Sequence, residues 1–377
     1  MTTAALPAHT GVVIVGAGPT GLALAVTLAT ADVEFVILDR LAEGANTSRA
    51  AVVHARTLEV LDELGAAESL IARGKPITRF TVRDGSRRLI TLPFDGLPTR
   101  YPYALMVPQN VTEAVLLDRL RALGRDVRRP HEVAGIVQDG DGVTVTLASG
   151  DVLRAGYVVG ADGMHSVVRQ ASGIGFGGNA YDESFVLADV TMDWSPGAEE
   201  VSLTFAPAGL TVVAPLPGDR YRIVATVDDA PAAPDAEFVQ RLLDQRAPGR
   251  ATVTGLVWSS RFRVHHRVAD RFRQDRLFLA GDAAHVHSPA GGQGMNTGIQ
   301  DGFALGRALA TDRLDDYDAR RRPVAEKVVA FADRMTRIAT THNPVLRGAR
   351  NIALPVLARI PAFRTRLATE LAELNYR

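Results

Sequence analysis

The sequence predicts an α/β fold, with a Rossmann-like domain, a mainly antiparallel β-sheet domain inserted into it, and C-terminal helices. Three observations lead to this prediction. A short apolar run at 12–15 leads through a glycine-rich turn into a helix, apolar and polar residues alternate between 177 and 269, and a second glycine-rich turn at 289–294 opens another helix. A strand, a glycine turn and a helix in this order are the unit from which parallel sheets are built.

The composition is that of an ordinary globular protein. The chain has 377 residues, with 42 Lys and Arg against 42 Asp and Glu, so no bulk charge attracts nucleic acid or an anionic membrane. The absence of cysteine excludes disulfides, thiolate metal sites and a covalent cysteinyl link. The first ten residues have no apolar signal core, and no apolar run reaches the roughly 18 residues of a membrane span. We therefore expect a cytoplasmic protein without a membrane span.

The first glycine turn predicts a dinucleotide site. Gly16, Gly18 and Gly21 have the spacing G-x-G-x-x-G, which combines a tight turn, room for a pyrophosphate and close helix packing. The helix begins near Pro19, where free N–H groups favour an anion. The next apolar run ends in Asp39, whose carboxylate can accept hydrogen bonds from both ribose hydroxyls. This acid argues against a 2′-phosphate, but NAD and FAD share the adenosine half, so the unit leaves both open.

The segment 48–65 has apolar residues at helical spacing and ends in Gly65. Arg49 and Arg56 stand near its start. They are either solvated helix charges or guanidinium groups that reach the phosphates of a dinucleotide, because this helix follows directly on the ribose-binding acid.

The chain between 77 and 176 leaves the first domain and returns to it. Gln109 lies where a short strand leads into a helix. Asp162 and Gly163 mark another strand-to-helix junction, the kind of place where open α/β sheets bind ligands. The remaining predicted elements are hairpin strands at 77–84 and 87–94, a strand and helix within 105–124, strands at 131–138, 142–148 and 153–159, and a helix from about 166.

The second glycine turn favours one of the two dinucleotides. A buried strand at 277–280 stops at Gly281 and Asp282, and the turn at 289–294 opens a helix over 295–309. A glycine turn at a helix N-terminus is a second cradle for an anion or an electron-rich ring. Two cradles so far apart in the sequence suggest one long ligand held at both ends, which fits FAD better than NAD.

With these residues in view, the chain resembles the flavoprotein aromatic hydroxylases of the para-hydroxybenzoate hydroxylase type, the single-component FAD monooxygenases. Three motifs in the right order carry the resemblance, namely GAGPTG at 16–21, GADGMHS at 160–166 and GDAAHVHSPAGGQGMN at 281–296. The residues of these motifs are most similar to those of hydroxylases of aromatic polyketides and phenols. The resemblance implies hydroxylation of a phenolic or polyketide-type aromatic substrate by O2 through a flavin C4a-hydroperoxide, with FAD as cofactor and NADPH or NADH as transient reductant.

The resemblance also implies contacts for individual residues. The first glycine turn and Asp39 would hold the ADP half of FAD, Arg49 and Gln109 would contact the pyrophosphate and ribityl region, and Asp282 would bond the ribityl chain. Pro289 and the backbone of 291–296 would line the isoalloxazine. The predicted cofactor-binding residues are Gly16, Gly18, Pro19, Thr20, Gly21, Asp39, Arg40, Arg49, Gln109, Asp162, Gly163, Gly281, Asp282, Pro289, Gly291, Gly292, Gly294, Met295 and Asn296.

Catalytic and substrate-binding residues are expected beside the ring. Pro289, Arg56 and His54 are the predicted catalytic residues, and no catalytic base is identified. The predicted substrate-pocket residues, each of which could equally belong to the core, are Phe80, Phe185, Leu203, Phe205, Val213 and Pro215. His285 and His287 resemble a metal pair, but no third ligand has suitable spacing, so no metal site is predicted.

The predicted domain organisation follows from these elements. Segments 1–74, 108–176 and 270–335 form the FAD-binding domain, 75–107 and 177–269 the substrate-binding sheet domain, and 336–377 a basic helical tail without a thioredoxin-like third domain. The tail packs on the body or a second subunit, or touches a membrane surface, and the protein is a monomer or homodimer. A Baeyer–Villiger oxygenase, a flavin oxidase or dehydrogenase, and a flavin-binding scaffold stay open as alternatives, since fold alone does not separate them.

Overall fold

The computed structural model describes residues 6–44, 50–289, 291–339 and 343–376. The strands are β1 (His9–Val15), β2 (Phe35–Leu38), β3 (Val52–Val53), β4 (Lys75–Ile77), β5 (Arg79–Asp84), β6 (Arg87–Pro93), β7 (Ala104–Met106), β8 (Val133–Gln138), β9 (Val143–Leu147), β10 (Val152–Gly160), β11 (Phe176–Trp194), β12 (Glu200–Ala206), β13 (Gly209–Leu216), β14 (Arg220–Val227), β15 (Ala251–Ala269), β16 (Arg273–Gln274), β17 (Leu277–Leu279) and β18 (His285–Val286). The helices are α1 (Pro19–Thr30), α2 (Ala55–Glu63), α3 (Ala67–Ile71), α4 (Gln109–Ala122), α5 (Val167–Ser172), α6 (Ala236–Arg246), α7 (Gly294–Ala310), α8 (Asp315–Ala339), α9 (Pro344–Leu357) and α10 (Pro361–Leu371).

The first layer is a seven-stranded sheet in which β2, β1, β10 and β17 are parallel neighbours. β16 pairs antiparallel with β17, the first half of β10 pairs antiparallel with β9, and β8 pairs with β9. The apolar runs at 12–15 and 35–38 are buried throughout, as central parallel strands require. The predicted Rossmann-like α/β arrangement is confirmed.

The second layer is an eight-stranded sheet in the order β18-β15-β11-β14-β13-β12-β5-β6. Its neighbouring strands are antiparallel except β12 and β5, which run parallel. α6 covers one face of this sheet through Val239 and Leu243. The opposite face, called here the inner face, packs on the first layer and on the small sheet β3-β7-β4. The predicted inserted, mainly antiparallel sheet is confirmed.

α1 and α7 pack side by side through glycines of α7. A Cβ on Gly298 would lie 2.4 Å from Thr20 Oγ1, and a Cβ on Gly302 would lie 2.4 Å from the Thr20 carbonyl oxygen. Further along, a Cβ on Gly306 would lie 2.6 Å from Thr27 Cβ. The contacts advance in the same direction along both helices, so the helices are parallel and their N-termini lie at one edge. The four-residue spacing places these glycines on one helix face.

The predicted start of the C-terminal tail, residue 336, lies within α8. The buried face of this helix includes Phe331, Ala332 and Thr336. The described chain after α8 consists of α9, α10 and a last short turn at Leu374–Tyr376. The division of the rest of the chain into domains stays a prediction.

α9 contacts the body through its polar face. Arg350 and Asn351 donate to the Asp84 carboxylate at 3.2 and 2.6 Å, and Arg350 also lies over the Phe205 ring. Ile352 on the other side of the helix is 68 % exposed. None of the helices in the described ranges has both the length and the apolar character needed to cross a membrane.

Candidate functional site

Four parallel strands end at the same edge of the seven-stranded sheet. The register pairs Leu38 with Val15, Val15 with Gly160, and Gly160 with Leu279. Within two residues of these strand ends lie, in strand order, the predicted site residues Asp39, Gly16, Asp162 and Gly281. Because ligands of open α/β sheets bind beyond the carboxyl ends of the strands, the three sequence motifs meet where a ligand is expected.

The first glycine turn leaves room for a pyrophosphate. Gly16 has φ +101°, and a Cβ there would lie 2.3 Å from the carbonyl oxygen of Ala161. A Cβ on Gly21 would lie 2.0 Å from the carbonyl oxygen of Gly16, so only glycine lets α1 pack this closely. A Cβ on Gly18 would meet no atom within 4 Å in the described part of the chain. Pro19 then begins α1, whose N-terminus no described side chain caps.

Asp39 is fixed beside this turn. Its Oδ2 accepts a hydrogen bond from the Ala17 N–H and its Oδ1 one from the Leu41 N–H, both at 2.8 Å. Each carboxylate oxygen keeps a further lone pair for a ribose hydroxyl. Arg129 Nη2 lies 3.8 Å from Asp39 Oδ2, and the sequence analysis missed this arginine because it comes from a loop far along the chain. The side chain of Arg40 is exposed.

Gln109 is held next to the segment that contains Arg49. Its Oε1 accepts a hydrogen bond from the Ala50 N–H at 3.3 Å, and its Nε2 donates to Glu113 Oε1 at 2.9 Å. Burial raises the pKa of Glu113. Arg49 itself lies outside the described residues, so its predicted phosphate contact stays a prediction.

The Asp–Gly motif presents a carboxylate oxygen that accepts no hydrogen bond from the described residues. Asp162 Oδ2 accepts a hydrogen bond from the Val167 N–H at 2.8 Å, whereas the buried Oδ1 has no donor among the described residues. Burial raises the pKa of this carboxyl. Gly163 follows with φ +80° and open space around its Cα. Arg169 links this motif to the next, donating to the Ala283 carbonyl at 2.7 Å.

The third motif touches the first through Thr20. A Cβ on Gly281, which has φ +60°, would lie 2.4 Å from Thr20 Oγ1. The same hydroxyl lies 2.4 Å from the position of a Cβ on Gly298. Asp282 follows in a short 3-10 helix with its side chain exposed.

The second glycine turn, residues 289–294, is described except for residue 290. The Gly292 N–H donates to the Pro289 carbonyl at 2.9 Å, and Gly291 and Gly292 have φ +89° and +65°. Asn296 Oδ1 accepts from the His54 N–H at 2.8 Å, and its Nδ2 donates at 2.9 Å to the carbonyls of Val52 and Gly292. The side chain of Asn296 is therefore engaged by backbone groups, which leaves the turn's backbone as the surface for a ligand.

Gly294 and Met295, the two residues before Asn296, form the start of α7. Met295 is half-buried at the start of α7. Gly294 is its neighbour, and a Cβ there would lie 3.7 Å from His287 Nε2. Burial lowers the pKa of His287 to about 4, so its ring is neutral.

His54 supports the second glycine turn. Its Nε2 lies 2.8 Å from the carbonyl oxygen of Gly291, which can only accept, so Nε2 carries the proton. Burial lowers the pKa of His54 to about 4, and the ring is neutral. A catalytic role for His54 stays a prediction, while its contact with Gly291 is structural.

Arg56 is engaged on its own helix. Its Nη1 donates to Glu59 Oε2 at 2.9 Å, and its backbone N–H donates to the Ala372 carbonyl at 3.1 Å. The predicted catalytic role of Arg56 therefore also stays a prediction.

His285 belongs to a buried ionic network. Its Nε2 lies 2.6 Å from Asp301 Oδ2, and Arg321 Nε donates to Asp301 Oδ1 at 2.6 Å. Burial alone would raise the pKa of Asp301, but Arg321 and His285 hold it below its ordinary value. Asp301 Oδ2 also accepts a hydrogen bond from the Gly281 N–H at 3.2 Å. The network therefore holds the start of the third motif in place.

The predicted substrate residues divide between the two faces of the eight-stranded sheet. Strand register puts Phe80, Phe185, Leu203 and Phe205 on the inner face. Phe80 is half-buried, and the other three are buried in the core. Val213 and Pro215 point the other way, toward α6, and Val213 packs in the cluster beneath that helix. The predicted substrate contacts of these two residues stay predictions, because alternation identifies two faces without telling which one borders the ligand.

Further residues of the inner face were missed. Four side chains on the inner face, in β13, β14 and β15, are only half-buried. These residues are Val212, Val224, Trp258 and Phe262. The sequence signal for these residues is the same alternation of apolar and polar side chains. Val212, for example, directly precedes Val213 and points to the opposite face.

Arg222 connects the inner face to the cofactor-binding edge. Its Nε and Nη2 donate to the Asp189 carboxylate at 2.7 and 2.8 Å, and its Nη1 donates to the Ala50 carbonyl at 2.8 Å. The side chains of the pair are only 2 % and 6 % exposed. The eight-stranded sheet is thus hydrogen-bonded, through Arg222, to Ala50.

Comparison with known proteins agrees with this geometry. The family described as "FAD binding domain" matches residues 9–332. 6-Methylpretetramide 4-monooxygenase of Streptomyces rimosus is 37 % identical over 374 residues, with 94 % of this chain and 67 % of that protein covered. Rifampicin monooxygenase of Streptomyces venezuelae is 38 % identical over 334 residues, with coverage of 84 % and 69 %. The crystal structure of p-nitrophenol 4-monooxygenase from Pseudomonas putida DLL-E4 superposes with a TM-score of 0.88 at 29 % identity, over 98 % of this chain and 99 % of that one.

Proposed function

Because the chain belongs to the FAD-binding family of aromatic monooxygenases, we propose that its first glycine turn and Asp39 hold the ADP half of FAD and its second glycine turn the flavin ring. The observation that carries this proposal is the shared strand edge, where three motifs distant in the sequence come together. The enzyme is an FAD-dependent monooxygenase that uses NADPH or NADH and O2 on an aromatic substrate.

Two features of this edge fit FAD. The open space beside Gly18 admits a pyrophosphate close to the N-terminus of α1, where N–H groups and the helix dipole favour an anion. The buried Oδ1 of Asp162, for which the described residues supply no donor, is available to a ribityl hydroxyl. Asp282 at the neighbouring strand end offers a second carboxylate.

Bound FAD supplies the redox chemistry, in which NAD(P)H provides two electrons and one atom of O2 is transferred to the aromatic ring. The protein chain contributes by positioning the cofactor and by setting the electrostatic environment around it. The N-terminus of α7, which no described side chain caps, stabilises negative charge beside the second glycine turn. His54 keeps its proton on Nε2 and holds the Gly291 carbonyl, which keeps the turn in place.

The substrate lies between the second glycine turn and the inner face of the sheet. The side chains that border this space are aromatic or aliphatic, so they favour a flat apolar ring and exclude water. Those proposed here are Phe80, Val212, Val224, Trp258 and Phe262. Arg222 and Asp189 at the centre of the same face neutralise each other, which keeps the wall free of net charge. A phenolic or polyketide-type substrate fits this wall.

The test is turnover by the purified protein. NADH and NADPH oxidation is followed in air with a panel of simple and polycyclic phenols, and products are identified by mass with isotopically labelled O2. We expect one phenol to accelerate oxidation and to gain one labelled oxygen atom on its ring. Bound FAD that neither nucleotide reduces with any substrate would contradict the proposal, as would oxygen inserted next to a carbonyl.

A further inference from the structure

The last residues of the described chain are deeply buried. Residues 370–376, which comprise the last two residues of α10 and the short turn after it, are called here the C-terminal hook. Leu371, Ala372 and Glu373 are 3 %, 4 % and 0 % exposed, and Tyr376 is 6 % exposed. The hook is held in shape by its own hydrogen bonds, in which Tyr376 Oη and Asn375 Nδ2 donate to the Glu370 carboxylate at 2.6 and 2.7 Å.

The hook lies behind the second glycine turn. A Cβ on Gly291 would lie 3.8 Å from Leu371 Cδ2, and Gln293 Nε2 donates to the Glu370 carbonyl at 3.5 Å. The hook also contacts the start of α2, where the Arg56 N–H donates to the Ala372 carbonyl at 3.1 Å. The hook thus contacts both the second glycine turn, which leads into α7, and the start of α2.

Glu373 makes the contact with α7. Its Oε2 accepts a hydrogen bond from Gln300 Nε2 at 2.5 Å, and the same nitrogen donates to Thr57 Oγ1 of α2 at 3.0 Å. Gln300 lies one turn beyond Asn296, the residue that binds the second glycine turn. The Oε1 atoms of both Glu373 and Gln300 lack hydrogen-bond donors among the described residues. A proton on the Glu373 carboxyl would turn one of its two acceptor oxygens into a donor.

We propose that the C-terminal hook holds the second glycine turn in its flavin-binding conformation, and that Glu373, in its protonated form, is the positioning residue that docks the hook onto α7 and α2. The inference rests on the proposed position of the flavin ring. Glu373 does not contact the ring in this proposal and acts through Gln300, the hook and the turn that the hook supports.

Protonation of Glu373 follows from its surroundings. Burial, with a contribution from Asp301 of α7, raises the pKa of Glu373 from 4.5 to about 8, against the opposing effects of Gln300 and Arg321. Arg321 of α8 is already paired with Asp301, and the α2 group that faces Gln300 is the neutral Thr57. With a pKa of about 8, the carboxyl is mostly protonated near neutral pH.

The sign of the pH effect follows from linkage. The docked hook has the pKa of about 8, whereas a released, solvated carboxyl has its ordinary value of 4.5. The docked form binds more protons between these values, so docking weakens as the pH rises through that window and levels off above it. FAD binding should weaken in the same window, because the turn loses its support. His54 and His287, with pKa values of about 4, do not titrate there.

The test measures release of FAD from the full-length holoenzyme. Protein is diluted in steps at each pH from about 6 to about 9, and the fluorescence of released FAD gives the dissociation constant. We expect the wild-type constant to rise between about pH 6 and about pH 8, by at most tenfold per pH unit for one proton, and then to level off. Glu373→Gln keeps an uncharged side chain of the same shape and should show no such rise.

The control is Glu63→Gln on α2, an exposed carboxylate paired only loosely with Arg307 at 3.4 Å, which should follow the wild-type profile. Far-UV circular dichroism checks that each variant is folded. A wild-type constant that is flat over this pH range, or a Glu373→Gln profile equal to the wild type, would overturn the role of the hook while leaving FAD binding intact. Failure to bind FAD at any pH would instead overturn the cofactor site, and the hook proposal with it.

Discussion

Gly18 has no side chain, and its position leaves space for a ligand. Its backbone angles, φ −75° and ψ −174°, suit any residue, and no described atom lies within 4 Å of its would-be Cβ. We expect Gly18→Ala to leave the unfolding temperature unchanged and to weaken FAD binding about tenfold or more, since the methyl group occupies the space of the pyrophosphate. Thermal unfolding of the FAD-free protein and FAD titration measure the two effects.

Gly21→Ala is the matched control. Its Cβ would lie 2.0 Å from the Gly16 carbonyl oxygen, so α1 must shift. We expect a loss of about 1 to 3 kcal/mol in the free energy of unfolding, as for other overpacked sites. Equal loss of stability in both variants would contradict the assignment of Gly18 to the ligand.

Val212 and Val213 are neighbours that point to opposite faces of one strand. Val213 is buried beneath α6, whereas Val212 is half-buried on the inner face. Val213→Ala removes two buried carbon atoms and should cost about 2 kcal/mol of unfolding free energy without changing KM. Val212→Ala should change KM and the preference among phenols with little loss of stability.

Steady-state kinetics with two phenols of different size, together with denaturant unfolding, measure both variants. If Val213→Ala alters substrate preference while Val212→Ala does not, the substrate lies on the other face of the sheet from the one proposed.

At the scale of elements, α9 depends on one carboxylate. Arg350 and Asn351 donate to Asp84, and Arg347 Nη2 lies 3.8 Å from its Oδ1. We expect Asp84→Ala to release α9, with faster hydrogen exchange over 344–357 and a loss of about 1 to 2 kcal/mol of unfolding free energy. The cause is that Arg350 and Asn351 lose their acceptor, so that α9 keeps only weaker contacts such as the packing of half-buried Leu354 against the core.

Asp316→Ala provides the comparison, because Asp316 pairs with Arg320 on the surface of α8 at 3.3 Å and such pairs contribute little. Hydrogen exchange over 344–357 should equal that of the wild type in this variant. If Asp84→Ala leaves exchange over this range unchanged as well, α9 is held by something other than Asp84.

For the whole molecule, the individual strands and helices were easier to predict from the sequence than the order in which the strands pair. The strand ends and glycine turns of the dinucleotide unit follow from local rules, since each depends on residues a few positions apart. The order β2-β1-β10-β17 does not, because β10 enters the sheet between strands that lie far from it in the chain. The shared edge that unites the three motifs is therefore a property of the sheet, although their resemblance to one family anticipated it.

Other contacts of the site arise only from packing. Arg129 reaches Asp39 from a loop, Arg222 reaches Ala50 from the other sheet, and Glu373 reaches Gln300 from the end of the chain. Each is a single polar residue without a repeating pattern, so no periodicity could single it out. The glycines of α7 do repeat at every fourth position, and that spacing was an available signal for the close approach of α1.

The strand–turn–helix units, the alternating sheet, the dinucleotide class of the cofactor and the family resemblance could all be predicted from the sequence, because they depend on local spacing and on motifs of fixed order. Apolar alternation looks the same for both faces of the eight-stranded sheet, so it takes the folded structure to show that α6 buries one face and that the first layer and the small sheet cover the other. The burial of Glu373 against α7 and α2 is likewise seen only in the fold, because these elements lie far apart in the sequence and meet only in the folded protein.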